Sequence, residues 1–184
     1  MKHVVLMSKV PKMGRVKTRL AASIGWVEAT QFHRRTLFAT ARKLKDPRWM
    51  NWLSVSPDHS VYQPRLWPNG WAVIPQGDGD LGDRMLRPMV GLPPGPVVIV
   101  GSDIPDITVD HIAAAFEALG ENDMVFGPAT DGGFWLVGAK RRPRMIDPFK
   151  DVRWSTEHAL SDTLSNLPDE TKIGFLETLS DVDD

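Results

Sequence analysis

The sequence predicts an α/β domain: a mostly parallel, twisted sheet flanked by helices on both faces. Three observations carry that expectation. Val97–Val100 is an unbroken apolar, largely β-branched run bounded by Pro96 and Gly101, the pattern of a strand covered on both faces. Strand-like and helix-like segments alternate along the chain, which argues for parallel strands joined by helical crossovers. No internal repeat, low-complexity tract or long linker interrupts the 184 residues, so one domain over 1–184 is expected.

Composition narrows the function classes. Net charge is −1, from 22 Lys and Arg against 23 Asp and Glu, so no broad positive field for nucleic acid is implied. The absence of cysteine excludes disulfides, thiolate metal sites and a cysteine nucleophile, and fits a reducing compartment. MKHVVLMSK has too short an apolar run for a signal peptide, and no stretch approaches the ~20 apolar residues of a membrane span. A cytoplasmic protein with no membrane partner is expected. Seven tryptophans are many for this length; some are expected at a ligand or partner and most in packing.

Val4–Ser8 reads as the first strand. It runs into a loop with Pro11 and Gly14 and five basic residues, Lys9, Lys12, Arg15, Lys17 and Arg19. A glycine-bearing basic loop between a strand and a helix suits phosphate. It is not a P-loop, which needs Gly, Lys and Ser or Thr adjacent. The other reading is a solvated charge cluster, but cations are disfavoured at a helix N-terminus, so an anionic ligand explains them better.

Gly25 closes a short helix, and Val27–Lys45 forms a longer one with Phe32, Leu37, Ala41 and Leu44 on one side. Asn51–Ser56 is the second strand, and Tyr62–Asn69, with two prolines, is irregular. Ala72–Pro75 is a short strand. It feeds Gln76–Met85, where three glycines precede a helix pattern at Leu81, Met85 and Met89, with Asp80 as the N-cap. That loop either brings backbone amides to a planar or anionic ligand or is simply a tight connection.

Asp103 stands at the carboxyl end of the central strand, where open α/β sheets bind ligands. Gly101 allows close approach, and Pro105 stops the strand. A carboxylate there either binds a hard cation such as Mg²⁺, which in turn binds phosphate oxygens, or caps the next turn. Thr108 starts a helix over Val109–Leu119, ended by Gly120. Asp123–Phe126 is a strand. Asp131-Gly132-Gly133 is a tight turn into another, and a neighbour of Val97–Val100 there would bring Asp131 near Asp103. Arg141–Arg144 is either an exposed connection or part of an anionic-acceptor site. Ser155 or Thr156 caps a helix over His158–Leu167, Ile173–Leu176 is a last apolar segment, and Asp181 and Asp183 share one face of the extended end.

Taken in order, PKMGRVKTRL, QGDGDLGDRM, GSDIPDI, GPATDGGFWLVG, VRWST and LSDVD resemble the bacterial DUF2064 proteins, over nearly the whole chain from Lys9 to Asp183. That family is related to the glycosyltransferase-A-like, nucleotide-diphospho-sugar transferase superfamily. The superfamily also holds nucleotidyltransferases such as 2-phospho-L-lactate guanylyltransferase and the molybdenum cofactor guanylyltransferase. The resemblance implies that fold and a set of roles. Lys17 and Arg19 would contact the donor phosphates as catalytic residues, with Lys9 and Gly14 in the same nucleotide-binding loop. Gln76, Gly79, Asp80, Leu81, Gly82 and Arg84 would line the nucleotide pocket. Asp103 would hold Mg²⁺ or Mn²⁺, Asp131 would face the acceptor, and Asp183 would supply a second metal ligand.

The expected function is a metal-dependent transferase. Its donor is a sugar nucleotide or a nucleoside triphosphate, and its acceptor is small, a phosphorylated one being expected for nucleotidyl transfer; the basic run Arg141–Arg144 hints at an anionic acceptor. Glycosyl and nucleotidyl transfer both remain open. The alternative is a catalytically silent nucleotide-binding module or partner subunit of the same fold. Its support is that related sequences continue past the last aspartate with Thr-x-x-Asp-Leu, whereas this one ends at Asp184.

Overall fold

The computed structural model describes residues 1–14 and 18–180. Seven strands form one sheet: β1 His3–Lys9, β2 Met50–Ser56, β3 Ala72–Pro75, β4 Val97–Gly101, β5 Met124–Pro128, β6 Phe134–Ala139 and β7 Ile173–Phe175. Their order is β3-β2-β1-β4-β6-β5-β7. Pairing is parallel for β1 with β2 and β4, β2 with β3, and β5 with β7; β6 runs antiparallel between β4 and β5.

The helices are α1 Thr18–Ile24, α2 Trp26–Leu44, α3 Leu81–Gly91, α4 Val109–Glu121 and α5 Ala159–Ser165. They divide between the faces as the strand pattern requires. In β4, Val98 and Val100 pack with Leu37 and Leu44 of α2 and Ile112 and Phe116 of α4. Val97 and Ile99 point the other way, with Met85 and Met89 of α3 and Phe126. All four valine and isoleucine residues of β4 are buried on one face or the other, each contributing roughly 1.5–3 kcal/mol. The doubly covered strand expected from Val97–Val100 is therefore present.

Local signals explain most element ends. Asp80 caps α3 in a reciprocal box with Asp83, each side chain accepting from the other's backbone N–H at 3.0 Å. Thr108 caps α4 with His111 in the same reciprocal way. Gly120 does not end α4 as expected. It lacks a positive φ, and the helix runs on to Glu121, where Asn122 donates from its backbone and its side-chain amide to the Ala118 carbonyl. The expected cap at Ser155 or Thr156 also moves: α5 starts later, at Ala159, because Thr156 Oγ1 accepts from the His158 N–H in the turn before it. Residues 62–69 include one short 3-10 turn, Pro64–Leu66, and follow another, Asp58–Tyr62. No helix among the described residues is long and apolar enough to cross a membrane.

Candidate active site

The parallel strands β1, β3 and β4 end at one rim, and a cavity of about 1050 Å³ opens there. Because β6 runs the opposite way, its start, and not its end, meets that rim: Leu136 pairs with Val100, which brings the Asp131–Gly133 turn beside Ser102 and Asp103. The turn expected near Asp103 is found there, and both Asp103 and Asp131 line the cavity.

On one side stand Lys9, Gln76, Gly79, Asp80, Leu81 and Arg84. Gln76 is buried and its amide donates to the Ser8 and Ser54 carbonyls, at 3.2 and 3.0 Å, tying the ends of β1, β2 and β3 together. Arg84 donates to the Gly79 carbonyl, and Arg87 donates to the carbonyls of Gln76 and Asp78, so the glycine loop is held by guanidinium groups rather than left loose. Gly82 does not line the cavity. It is buried where a Cβ would come 2.7 Å from Phe149 Cβ and 3.0 Å from the Trp154 ring, so its lack of a side chain serves packing.

Asp103 folds back over the end of β4. A Cβ added at Gly101 would lie 2.8 Å from Asp103 Oδ1, so glycine there makes room for the carboxylate. Asp131 Oδ1 accepts from the Gly133 N–H at 2.9 Å, an Asx turn at the far side of the cavity. Lys17 and Asp183 lie outside the described residues, and of Arg19 only the backbone, in α1, is described. Gly14 has φ +74 and open space around it.

Sequence reasoning missed several lining residues. Ser8 and Ser102 end adjacent strands, and their hydroxyls are 3.3 Å apart. His33 is buried beside them, its Nε2 3.0 Å from the Lys9 carbonyl oxygen. The only signal for His33 was its spacing, one and two turns before Leu37 and Ala41 on the buried face of α2. The segment Trp154–Glu157 also lines the cavity, with Trp154 against the N-terminus of α3, and Gly132 is pressed against it: a Cβ there would meet Glu157 O at 2.2 Å. Arg141–Arg144 is not at this rim. Ala139 pairs with Val97 at the start of β4, so Arg141 follows at the opposite edge of the sheet. Its guanidinium donates to the carbonyls of Met89, Leu92, Pro93 and Gly95. A basic run at that edge cannot bind an acceptor in this cavity.

Carboxylate oxygens and no sulfur are the donors for a hard cation. Asp103, held in the space Gly101 leaves open, is a carboxylate of the kind that Mg²⁺ and Mn²⁺ take as a ligand. Magnesium is often bound by one or two carboxylates with the rest of its shell from phosphate and water. Among the described residues, no three His, Asp or Glu side chains gather into a complete cage.

A sheet of this order, six strands parallel and one reversed, with a cavity at the parallel rim, is the nucleotide-diphospho-sugar transferase fold. The family model described as an uncharacterized protein conserved in bacteria, DUF2064, matches residues 36–156, and the chain belongs to that family. The structure resembles a candidate nucleotide-diphospho-sugar transferase from Desulfovibrio desulfuricans G20, with TM-score 0.86 and 24% identity over 99% of this chain and 82% of the other. It also resembles CMP:2-keto-3-deoxy-manno-octonic acid synthetase complexed with CTP, with TM-score 0.57 and 11% identity over 99% and 92% of the two chains. A third likeness is to the manganese complex of Rv0371c from Mycobacterium tuberculosis H37Rv, with TM-score 0.54 and 14% identity over 99% and 91%. At these identities the likenesses establish the fold. No curated protein matches the sequence.

Proposed function

We propose that this protein is a divalent-metal-dependent transferase acting on a nucleotide-activated donor, either a sugar nucleotide or a nucleoside triphosphate. The observation that carries the reading is Asp103, seated over Gly101 in a cavity that Lys9 and Arg84 also line. Cations favour phosphate, and the carboxylate at the strand end favours the metal that phosphate brings. The CTP complex and the manganese complex of two proteins with this fold support the same assignment.

In this reading Asp103, with Asp183, holds Mg²⁺ or Mn²⁺, which supplies charge neutralisation to the donor phosphates. Lys17 and Arg19 take up charge on the leaving group, and Gly14 lets the loop approach it. Gln76, Gly79, Asp80, Leu81 and Arg84 shape the nucleotide side, and Gly82 lets α3 pack against Phe149 and Trp154 behind them. Asp131 faces the acceptor and accepts the proton of its attacking oxygen.

The first experiment is thermal unfolding with GTP, CTP and UDP-glucose, with and without Mn²⁺. Metal-dependent stabilisation that disappears in Asp103→Asn supports the reading; no response to any nucleotide overturns it. Pyrophosphate released from a triphosphate then identifies nucleotidyl transfer. Free nucleoside diphosphate released from a sugar nucleotide identifies glycosyl transfer.

A further inference from the structure

Carboxylates line the cavity at several places, Asp80 and Asp103 among them, whereas its cations stand together. Among the described residues, its lysine and arginine are Lys9 and Arg84, both on the side of β1 and α3. The wall formed by the β5–β6 turn and the segment before α5 offers Asp131 and Glu157 and, among the described residues, neither lysine nor arginine. The nearest cation in sequence, Arg153, is committed elsewhere: its guanidinium makes two bonds to Asp162, at 2.7 and 2.8 Å, and holds that carboxyl well below the usual range.

That wall is tied together by backbone contacts and left with unused hydrogen-bonding groups. Gly132 fits against the Glu157 backbone, and the Leu160 N–H donates to the Gly132 carbonyl. Ser155 sits at φ 59, a conformation disfavoured for a serine, in a segment that the neighbouring contacts fix. Among the described residues its hydroxyl makes no hydrogen bond, and one oxygen of Asp131 is used, accepting from the Gly133 N–H. Beside them, Phe134 and Trp154 meet edge to face at 6.2 Å and supply apolar surface.

We propose that the acceptor is an uncharged, hydroxyl-rich small molecule of sugar or polyol type, bound against Asp131, Ser155, Glu157 and the Phe134–Trp154 surface. This rests on the transferase reading above and adds the acceptor class. Carboxylates accept hydroxyl hydrogens, and aromatic surface covers the C–H face of a ring. A phosphomonoester brings a charge of about −1.5 to −2, and this wall meets it with two carboxylates. In the transfer, the acceptor oxygen forms the new bond, to the sugar carbon or to the α-phosphorus. The bond to the departing nucleotide or pyrophosphate breaks, its electron pair leaves on that phosphate, and the hydroxyl proton passes to Asp131.

The test is saturation-transfer NMR on the full chain with Mg²⁺. Three matched pairs are compared: glucose with glucose 6-phosphate, myo-inositol with its 1-phosphate, and glycerol with glycerol 3-phosphate. The nucleotide that stabilises most in the thermal assay is present, so that the basic side is filled. The neutral member is expected to bind about tenfold more tightly in at least one pair, and Glu157→Lys to shift that preference toward the phosphate by a similar factor. Equal or tighter binding of the phosphorylated member in every pair overturns the proposal. So does binding of no pair while a nucleotide still stabilises; in both cases the donor reading stands. If no nucleotide stabilises the protein, the donor reading fails and this proposal fails with it.

Discussion

The indole of Trp154 donates to Asp80 Oδ2 at 3.2 Å, joining residues 74 positions apart. The other oxygen of Asp80 already accepts from the Asp83 N–H as the cap of α3. One exposed carboxylate therefore links the helix end on the nucleotide side to the wall on the acceptor side. Trp154→Phe keeps ring contacts with Phe134 and Phe149 and removes the donor. The expected loss is about 1 kcal/mol, or roughly 2–4 °C in Tm, read by thermal unfolding without ligand. Asp80→Ala, which also removes the cap, is expected to lose more.

Gly132 and Gly120 should respond in opposite directions to alanine. At Gly132 φ is +88 and a Cβ would collide with Glu157 O, Cα and C at 2.2–2.7 Å; the expected cost is about 2–4 kcal/mol. At Gly120, inside α4, a Cβ meets nothing within 4 Å, and alanine should gain up to about 1 kcal/mol. Urea midpoints of the two variants check both signs.

Asp103→Asn keeps the shape and removes the charge. Stabilisation by nucleotide and Mn²⁺, about 2.7 kcal/mol for the wild type at a hundredfold excess over Kd, should fall toward zero. The transfer rate should drop by about 10²–10³, the usual effect of removing a charged contact to the transition state. Titrating nucleotide at fixed metal, with initial rates once the donor is known, measures both.

His3 gives the fold a pH dependence remote from the cavity. Its side chain is fully buried, its Nδ1 accepts from the Trp52 indole at 3.1 Å, and burial, with Arg141 nearby, lowers its pKa below the ordinary 6.5. Between the lowered folded value and 6.5, the unfolded chain binds more protons than the folded one. Stability therefore rises with pH through that window, and it is lost as pH falls below 6.5. The stability of the wild type, read by unfolding, should fall from pH 7.5 to pH 5.5, and His3→Phe should flatten that slope.

Where a stretch had one buried outcome, its letters were enough. Val97–Val100 reads as a doubly covered strand, and Asp80 before Leu81 as a helix N-cap, and both are found. The rim position of Asp103 followed from the same strand. Tertiary choices were not legible. Nothing local distinguishes Trp154, whose indole reaches a cap 74 residues away, from Trp67, whose indole reaches Ser60. Arg141 looked like a ligand for anions because its charge is visible in sequence, whereas the four carbonyls that occupy it are not. Gly82 matched a nucleotide-pocket segment, and its packing against Phe149 and Trp154 depends on residues far along the chain.

The reversed direction of β6 has a consequence for how this scaffold can diversify. A strand parallel to β4 would need a long crossover to reach the same rim, and changing it would disturb a helix. The β5–β6 hairpin instead delivers its tip to the cavity mouth through residues 129–133 alone. Insertions at that tip would reshape what the mouth admits while the strands beneath keep their register, so variation among relatives that differ in acceptor should concentrate in those few positions.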